Sequence, residues 1–188
     1  MFGSEVRASA AERLRTLPGD ELVSPSIGSL THAITINAPV AAVWPWLAQM
    51  GAGRGGWYSY DILDNGGQPS ADRVLPEYQL IEVGTLMPAL PGITEGFNVR
   101  SLDPTRSLVL GWGSASEPQH TTWAFVLEQA SSDVTRLIVR ARAGPGYRLF
   151  GIPPALSQYL AGPVHWIMQR KQLNGIKQRA ERARTAGG

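Results

Sequence analysis

The chain has 188 residues, of which 43% are hydrophobic and 17% are charged, with a formal net charge of +2. This composition indicates one globular domain with a substantial core. It excludes a disordered chain and a chain with the strong excess of positive charge that is typical of nucleic-acid-binding proteins. Cysteine is absent, which excludes disulfides and thiolate metal sites. No apolar run is long enough for a membrane span, and the first residues lack the apolar core of a signal peptide. We therefore expect a cytoplasmic protein without stable membrane insertion.

The first part of the chain predicts a short helix followed by a strand. Residues 5–16 favour the helix, and the sequence Leu-Pro-Gly-Asp that follows breaks it. Residues 30–36 predict the strand, because His32, Ile34 and Ile36 alternate onto one face. We expect residues 1–28 to be an N-terminal extension of the domain.

The stretch from Asn37 to Asn65 is rich in aromatic residues and glycines. Asn37 is a suitable helix N-cap, and Pro45 predicts that the helix is short or kinked. Gly51 is expected to end it. Residues 57–64 predict a second short helix, which would place Trp57, Tyr60 and Asp61 on adjoining positions of one face.

The glycine turn at residues 51–56 has the spacing G-x-G-x-x-G of a dinucleotide-binding loop. Such a loop must follow a strand and open a helix, whereas this one follows a helix and runs into bulky aromatics. We therefore predict no nucleotide site here. Arg54, inside the turn, could pair with Asp61 or Asp64, which would make those carboxylates structural. The alternative, an aspartate pair acting as general acid and base, stays open.

The second half of the chain has the pattern of a β-sheet. Strands are predicted at residues 79–83, 97–102, 107–112, 120–128 and 134–142. The last two alternate well, so we expect an antiparallel meander of about six or seven strands with one solvent-facing side. That side would carry Arg136, Arg140 and Arg142. Loops are expected at residues 113–119 and along the Pro/Gly-rich segment 144–162.

A long helix is predicted from about Pro163 to Arg184. Its first apolar stripe would consist of Val164, Ile167 and Met168, and its second of Leu173, Ile176 and Ala180. Six of the seventeen basic residues lie between Arg170 and Arg184. We interpret them as a solvated face, because no interleaved aromatics support nucleic-acid binding.

Several segments resemble bacterial members of the SRPBCC superfamily. They are AITINAPVAAVWPWLAQMG, RGGWYSYDILDN, TWAFVLE, TRLIVRAR and PVHWIMQRKQLNGIK. This superfamily includes START-like lipid-binding domains, proteins of the birch-pollen allergen type and polyketide cyclases. The resemblance implies an α+β helix-grip fold, in which a curved antiparallel sheet wraps around the C-terminal helix. It would occupy residues 29–184 as a single domain, with 185–188 as a disordered tail.

The resemblance also implies an internal, mostly apolar cavity between sheet and helix. Its expected lining is Trp57, Phe97, Val99, Leu110, Trp112, Trp123, Phe125, Ile167 and Met168. Polar groups expected at its mouth are Tyr58, Tyr60, Asp61 and Glu77. In particular, Asp61 is predicted to face the cavity, while Asp64 faces solvent or caps the helix. The candidates for catalysis are Asp61, Tyr60 and His120.

Three functions remain compatible with the sequence. The first is binding of a small hydrophobic molecule, such as a lipid, polyketide, terpenoid or aromatic compound. The second is an enzyme of the cyclase, dehydratase or isomerase type acting on such a molecule. The third is a protein-interaction module, which would need an exposed apolar patch. We expect no cofactor, no bound metal, no nucleic-acid partner, and a monomer or a homodimer.

Overall fold

The architecture is known from a computed structural model, which describes residues 6–112, 120–145 and 154–186, without the side chains of 154–161 and 184–186. The first elements are helix α1 (Ala10–Leu14), strand β1 (Gly28–Ile36), helix α2 (Val40–Ala48) and helix α3 (Asp61–Asp64). Strands follow at β2 (Leu86–Pro88), β3 (Gly96–Asp103), β4 (Ser107–Trp112), β5 (Thr121–Ser131) and β6 (Val134–Ala143). Helix α4 (Pro154–Ala186) ends the chain.

The six strands form one antiparallel sheet in the order β1-β6-β5-β4-β3-β2. Helices α2 and α4 contact each other, and both pack against the same side of the sheet. The main core lies between them, with side chains from β1, β4, β5 and β6 interleaved with those of the two helices. This arrangement is the predicted α+β helix-grip fold, with a strand number inside the predicted range.

The opposite side of the sheet is not a free solvent-facing surface, contrary to the prediction. Ala8 and Leu17 of the N-terminal segment form a second apolar cluster with sheet residues, namely Ala33, Val126 and Ile138. Arg140 points to this side as predicted, but the N-terminal segment covers it so that only 4% of the residue is exposed. The segment is therefore an integral cover of the sheet.

Helix α1 spans only five residues, Ala10–Leu14, and is shorter than the predicted 5–16, of which residue 5 lies outside the described part. Ser9 caps it by accepting from the amide of Glu12, whose carboxylate accepts from the Ser9 amide in return. Arg15 already has extended backbone angles.

Helix α2 continues through Pro45, and its N-cap is Pro39, not Asn37. The prediction of Asn37 as the cap is wrong, because Asn37 lies two residues before the N-cap position. Its backbone N–H donates to the carboxylate of Glu181 on α4 at 2.7 Å. Gly51 and Gly56 close the glycine turn by exchanging two backbone hydrogen bonds. The turn follows a helix, as predicted, and therefore lacks the setting of a nucleotide loop.

Two other segments differ from the sequence prediction. Residues 79–83 are not a strand: Leu80 is almost fully exposed, and the edge strand is β2, at Leu86–Pro88. The physical reason is a turn before β2, closed by the Thr85 amide donating to the Glu82 carbonyl at 3.0 Å; the backbone first binds β3 at Gly84, whose amide donates to the Val99 carbonyl. Helix α4 begins at Pro154, nine positions before the predicted start, and contains Pro163 within it. The predicted loop at 113–119 and residues 146–153 of the predicted Pro/Gly-rich segment lie outside the described residues, while residues 154–162 of that segment belong to helix α4.

Candidate functional site

An aromatic cluster lies on the inner side of the sheet. We define it as Trp57, Phe97, Trp112, Trp123 and Phe125. Trp57 stacks on Trp123 with ring centroids 5.5 Å apart, and Phe97 contacts Trp57, Trp112 and Trp123 at 5.1 to 5.7 Å. Phe125 lies 5.0 Å from Trp123 and is fully buried. Such edge-to-face and offset contacts are favourable aromatic geometries.

The strands position this cluster through their register. Phe97 on β3 is paired with Trp112 on β4, and Leu110 on β4 is paired with Trp123 on β5, so the rings share one face. Trp57 reaches them from the loop after the glycine turn, and its indole Nε1 donates to the Pro88 carbonyl at 3.1 Å.

The cluster is only partly sealed. Phe125 and Trp57 are buried, whereas Phe97, Trp112 and Trp123 retain exposed surface. Burial therefore decreases across the cluster, from the core toward one edge of the inner face. Aromatic faces that stay partly accessible on a concave surface can contact an apolar molecule.

The side of α4 that faces the interior changes from apolar to polar along the helix. Toward the C-terminus it presents Leu173, Ile176 and Ala180, all fully buried. Earlier along the helix it presents Gln169 and Gln172, each 1% exposed, and then His165. The intervals of four and three residues place the three polar side chains on one helical face.

The two glutamines form a hydrogen-bonded chain with Trp123. The indole Nε1 of Trp123 donates to Oε1 of Gln169 at 2.9 Å, and Nε2 of Gln169 donates to Oε1 of Gln172 at 2.8 Å. Nε2 of Gln172 in turn contacts the Met50 sulfur at 3.8 Å. This chain satisfies the buried amides and fixes the orientation of the Trp123 ring.

His32 and His165 lie side by side at the same end of the interior. Their ring centroids are 5.7 Å apart, and His165 lies 6.2 Å from Trp123. His32 comes from β1, on the face it shares with Ile34 and Ile36 as predicted, and is 7% exposed. Nδ1 of His32 and Nε2 of His165 are both shielded from solvent, and neither has a hydrogen-bond partner in the described part of the chain.

Both imidazoles are neutral near pH 7. Burial lowers the pKa of His165 to about 4, and repulsion from His32 adds to this shift. Burial also lowers the pKa of His32. A neutral imidazole carries one N–H donor and one bare nitrogen acceptor, so each ring can exchange hydrogen bonds in both directions.

The sequence prediction did not identify this histidine pair. The available signals were the phase of His32 with Ile34 and the spacing of His165 with Gln169 and Gln172. His120, the histidine named as a catalytic candidate, is exposed instead, and its Nδ1 lies 2.7 Å from the Pro145 carbonyl.

The predicted sheet lining is inside the protein, but the predicted helix lining is not. Val99, Leu110 and Phe125 are fully buried in the core. Ile167 is 47% exposed, which contradicts its prediction as a cavity residue, and Met168 is half-buried with its carbonyl accepting from Ser59 Oγ. The reason is rotational: the inward face of α4 is the one that carries the histidine and the two glutamines.

The segment from Trp57 to Tyr60 is not helical, so the predicted shared helix face of Trp57, Tyr60 and Asp61 does not form. Tyr58 has φ 59°, in the left-handed region, and the helix begins only at Asp61. Tyr58 is buried, edge-on to Trp46 at 6.0 Å, and Arg179 lies over its ring at 4.8 Å. Burial raises the pKa of the Tyr58 hydroxyl. Tyr58 is thus a core residue.

The other predicted mouth residues are on the outside. Tyr60 is 41% exposed, and Glu77 is exposed. Asp61 is half-buried, and its Oδ1 accepts from both the amide and the hydroxyl of Ser70, at 3.1 and 2.5 Å. Asp61 also lines a polar surface groove of about 240 Å³ together with Lys171 and Arg179, so it does not face the interior as predicted.

Asp64, expected to face solvent or to cap the helix, is the buried member of the aspartate pair, with 7% exposure. Burial raises its pKa to about 6, the negative charge of Asp61 adds to the rise, and the nearby Ser59 hydroxyl offsets part of it. That hydroxyl donates to the Met168 carbonyl, and neither Asp64 oxygen has a well-formed hydrogen bond among the described residues.

Arg54 does not pair with either aspartate. Its guanidinium donates to the carbonyls of Met50 and Ala48 at 3.0 Å and lies 4.6 Å from the Tyr78 ring. A cation at this position caps the carbonyl end of helix α2, which is a favourable place for positive charge.

The structure also bears on metal and membrane binding. In the described ranges, no group of three histidine, aspartate or glutamate side chains is placed to hold a metal ion. None of the helices there is both long enough and apolar enough to cross a bilayer.

No protein-family model matches the chain, and no curated protein does. Solved structures do. The Zhui aromatase/cyclase from Streptomyces sp. R1128 superposes with a TM-score of 0.51 and 18% identity, over 86% of this chain and 98% of that chain. Protein MLL2253 from Mesorhizobium loti has a TM-score of 0.49 and 15% identity, over 82% of this chain and 98% of that chain. The di-domain ARO/CYC BexL from the BE-7585A biosynthetic pathway has a TM-score of 0.46 and 14% identity, over 82% of this chain and 47% of that chain.

The likeness to the Zhui structure extends over nearly all of that chain and includes the curved sheet and the long C-terminal helix. The resemblance inferred from the sequence is thereby confirmed at the level of the fold: the chain has the helix-grip fold of polyketide cyclases and SRPBCC-like proteins.

Proposed function

We propose that the protein binds a small, mostly hydrophobic molecule between the inner face of the sheet and the polar part of α4. The observation that carries this proposal is the aromatic cluster, whose burial decreases from Phe125 to the partly exposed rings of Phe97, Trp112 and Trp123. Ring faces on a concave surface, with a few polar groups beside them, are the usual composition of a small-molecule site.

The polar groups beside the cluster are those expected to orient a ligand. Gln169 fixes the Trp123 ring through a 2.9 Å hydrogen bond, and His165 lies 6.2 Å from the same ring. An apolar wall with two neutral imidazoles suits a molecule that is mainly ring or chain and has few polar atoms.

A second candidate function is catalysis on such a molecule, of the cyclase, dehydratase or isomerase type. The histidine pair favours it, because a neutral imidazole can take a proton from, or return one to, a bound substrate. The Zhui neighbour is named an aromatase/cyclase, which makes an aromatic polyketide-like substrate a fold-level analogy. Binding is the more economical proposal, because it requires only the aromatic cluster.

The test uses the uncharged fluorescent probe N-phenyl-1-naphthylamine. We expect saturable, one-to-one binding by the native protein. Trp112→Ala, which removes a partly exposed ring 5.1 Å from Phe97, should weaken binding by about fivefold or more. The matched control is Trp166→Ala, an equal truncation on the exposed side of α4, where the ring contacts Arg170.

The control variant should bind the probe like the native protein. Absence of saturable binding to the native protein, or equal weakening in both variants, contradicts the proposed site. Mass spectrometry under non-denaturing conditions then identifies any molecule that co-purifies. A product with changed mass or retention after incubation with that molecule distinguishes catalysis from binding.

A further inference from the structure

The histidine pair has unused hydrogen-bonding capacity. Nδ1 of His32 and Nε2 of His165 are shielded from solvent, and both lack a partner within the described ranges. A buried polar atom without a partner is unfavourable, and native interiors pair most such atoms. Two of them on rings 5.7 Å apart point to a partner beyond the described side chains, such as a bound molecule.

The neighbouring polar side chains are already committed. Gln169, one turn along α4 from His165, accepts from Trp123 and donates to Gln172. Opposite His32 in the sheet is Val139, an apolar residue. Within the part of the chain that the structure describes, the pair also has a ring contact with Trp123. None of these described neighbours carries a charge.

The chemistry of the rings restricts what the partner can be. Each ring leaves one nitrogen unpartnered, and its tautomer decides whether that nitrogen donates or accepts. A hydroxyl group can donate to one of the two nitrogens and accept from the other, and it bears no charge that would have to be desolvated. A carbonyl oxygen can only accept, and a carboxylate brings a desolvation cost into apolar surroundings without a compensating cation. A hydroxyl is therefore the best match.

We propose that His32 and His165 recognise a hydroxyl group, a phenol or an alcohol, on the apolar molecule that contacts the aromatic cluster. This inference rests on the proposed binding function and specifies its ligand class: hydroxylated aromatic or polycyclic compounds over plain hydrocarbons. The Trp123 ring, which contacts both His165 and the cluster, joins the polar and apolar parts of the site.

The experiment compares 2-naphthol with 2-methylnaphthalene by titration calorimetry. The two probes have nearly the same shape, and only the first has a hydroxyl. The native protein should bind 2-naphthol about tenfold more tightly, as expected for one or two buried hydrogen bonds. In His165→Leu this preference should fall to about twofold or less, while 2-methylnaphthalene binds at least as well as before.

His120→Leu is the matched control, because it removes an exposed histidine that lies just before β5. This variant should keep the tenfold preference. Should His165→Leu fail to fold, nitrogen-15 NMR of the histidine rings in the native protein gives a second measurement. There, 2-naphthol should shift the ring nitrogens of two histidines toward hydrogen-bonded values, and 2-methylnaphthalene should not.

The outcomes separate this inference from the proposed function. Equal affinities for the two probes, with both weakened by Trp112→Ala, overturn hydroxyl recognition and leave the aromatic site intact. A preference that survives in His165→Leu, or ring nitrogens that do not respond to 2-naphthol, also overturns it. If neither probe binds, the proposed function fails and the inference fails with it.

Discussion

The guanidinium of Arg140 on β6 donates to the carboxylate of Asp20 at 2.6 Å and ties the N-terminal segment to the outer side of the sheet. The same guanidinium donates to the backbone carbonyls of Glu12, Arg13 and Arg15. Its Nε completes the set by donating to Thr31 Oγ1 on β1. One buried cation thus organises the segment that covers this side of the sheet.

We predict that Arg140→Met lowers the free energy of unfolding by about 3–5 kcal/mol, because it removes the buried cation that pairs with Asp20 and the donor of three backbone carbonyls. Urea denaturation measures the change. The control is Arg15→Ala, whose side chain pairs with Glu128 at the exposed surface. It should cost about 1 kcal/mol or less. Similar losses in the two variants would contradict the role assigned to Arg140.

A second prediction concerns Gly175 on α4, where helix propensity and packing oppose each other. Alanine is favoured over glycine in a helix by about 1 kcal/mol. A Cβ at Gly175, however, would collide with the carbonyl oxygen of Tyr58, which has little freedom to move because its φ is positive. We therefore expect Gly175→Ala to destabilise the protein by about 1–3 kcal/mol.

Gly162→Ala is the control in the same helix, because a Cβ there meets nothing within 4 Å. Its gain in helix propensity is partly offset by Pro163, which disfavours helical angles in the preceding residue. We expect a change of less than about 1 kcal/mol in either direction. Thermal denaturation of both variants decides the matter, and a Gly175→Ala protein as stable as the native one refutes the packing argument.

A third prediction concerns the pH dependence contributed by His165. Its folded-state pKa of about 4 lies below the ordinary value of 6.5. Between these values the unfolded chain binds more protons than the native one, so stability falls as the pH is lowered from about 6.5 to about 4. His165→Gln should flatten this part of the stability profile, as measured by urea denaturation at several pH values. An unchanged slope argues against a buried, neutral His165.

Asp64 should contribute a slope of the opposite sign. Its folded-state pKa of about 6 lies above the ordinary 3.8, so the native state holds the proton longer. Below about pH 4, burial of the protonated Asp64 carboxyl therefore costs the least stability. As the pH rises toward 6, the unfolded chain ionises this carboxyl first, and the free energy of unfolding falls. Asp64→Asn should raise the free energy of unfolding by on the order of 1 kcal/mol at pH 7.

The gain from Asp64→Asn should disappear near pH 3, where the carboxyl of Asp64 is largely protonated in both the folded and the unfolded protein, because this pH lies below the ordinary pKa of 3.8. Loss of stability at pH 7 in this variant would show that the ionised carboxylate has favourable contacts. Asp61→Asn serves as the comparison. Asp61 accepts two hydrogen bonds from Ser70, so this substitution should lower the free energy of unfolding.

Hydroxyl recognition depends on the histidine pair, which sequence patterns did not reveal, whereas probe binding depends on the aromatic cluster, which they did. The strands were predictable because alternation is local: β4 spans Ser107–Trp112 as predicted, and β6 extends to Ala143, one residue past its predicted end. Side chains two positions apart share a face in any strand. The aromatic cluster follows from that alternation and from antiparallel pairing.

The inward face of α4 was not predictable in the same way. Val164 and Ile167 form an apolar stripe in sequence, yet both are exposed, while His165, Gln169 and Gln172 face the interior. The rotation of a helix is set by its packing against the other elements, here α2 and β1. Apolar spacing alone cannot fix it when two stripes of different character compete.

The sequence by itself determined five of the six strands and the aromatic inner face, because alternation is a local property of the chain, and the resemblance to SRPBCC proteins added the fold class. Only the tertiary structure decided which polar groups meet. His32 and His165 are far apart in the chain, and their contact requires β1 and α4 to pack in one particular orientation. Likewise the spacing of Asp61 and Asp64 in sequence does not show that Asp61 binds Ser70 or that Asp64 is the buried member of the pair.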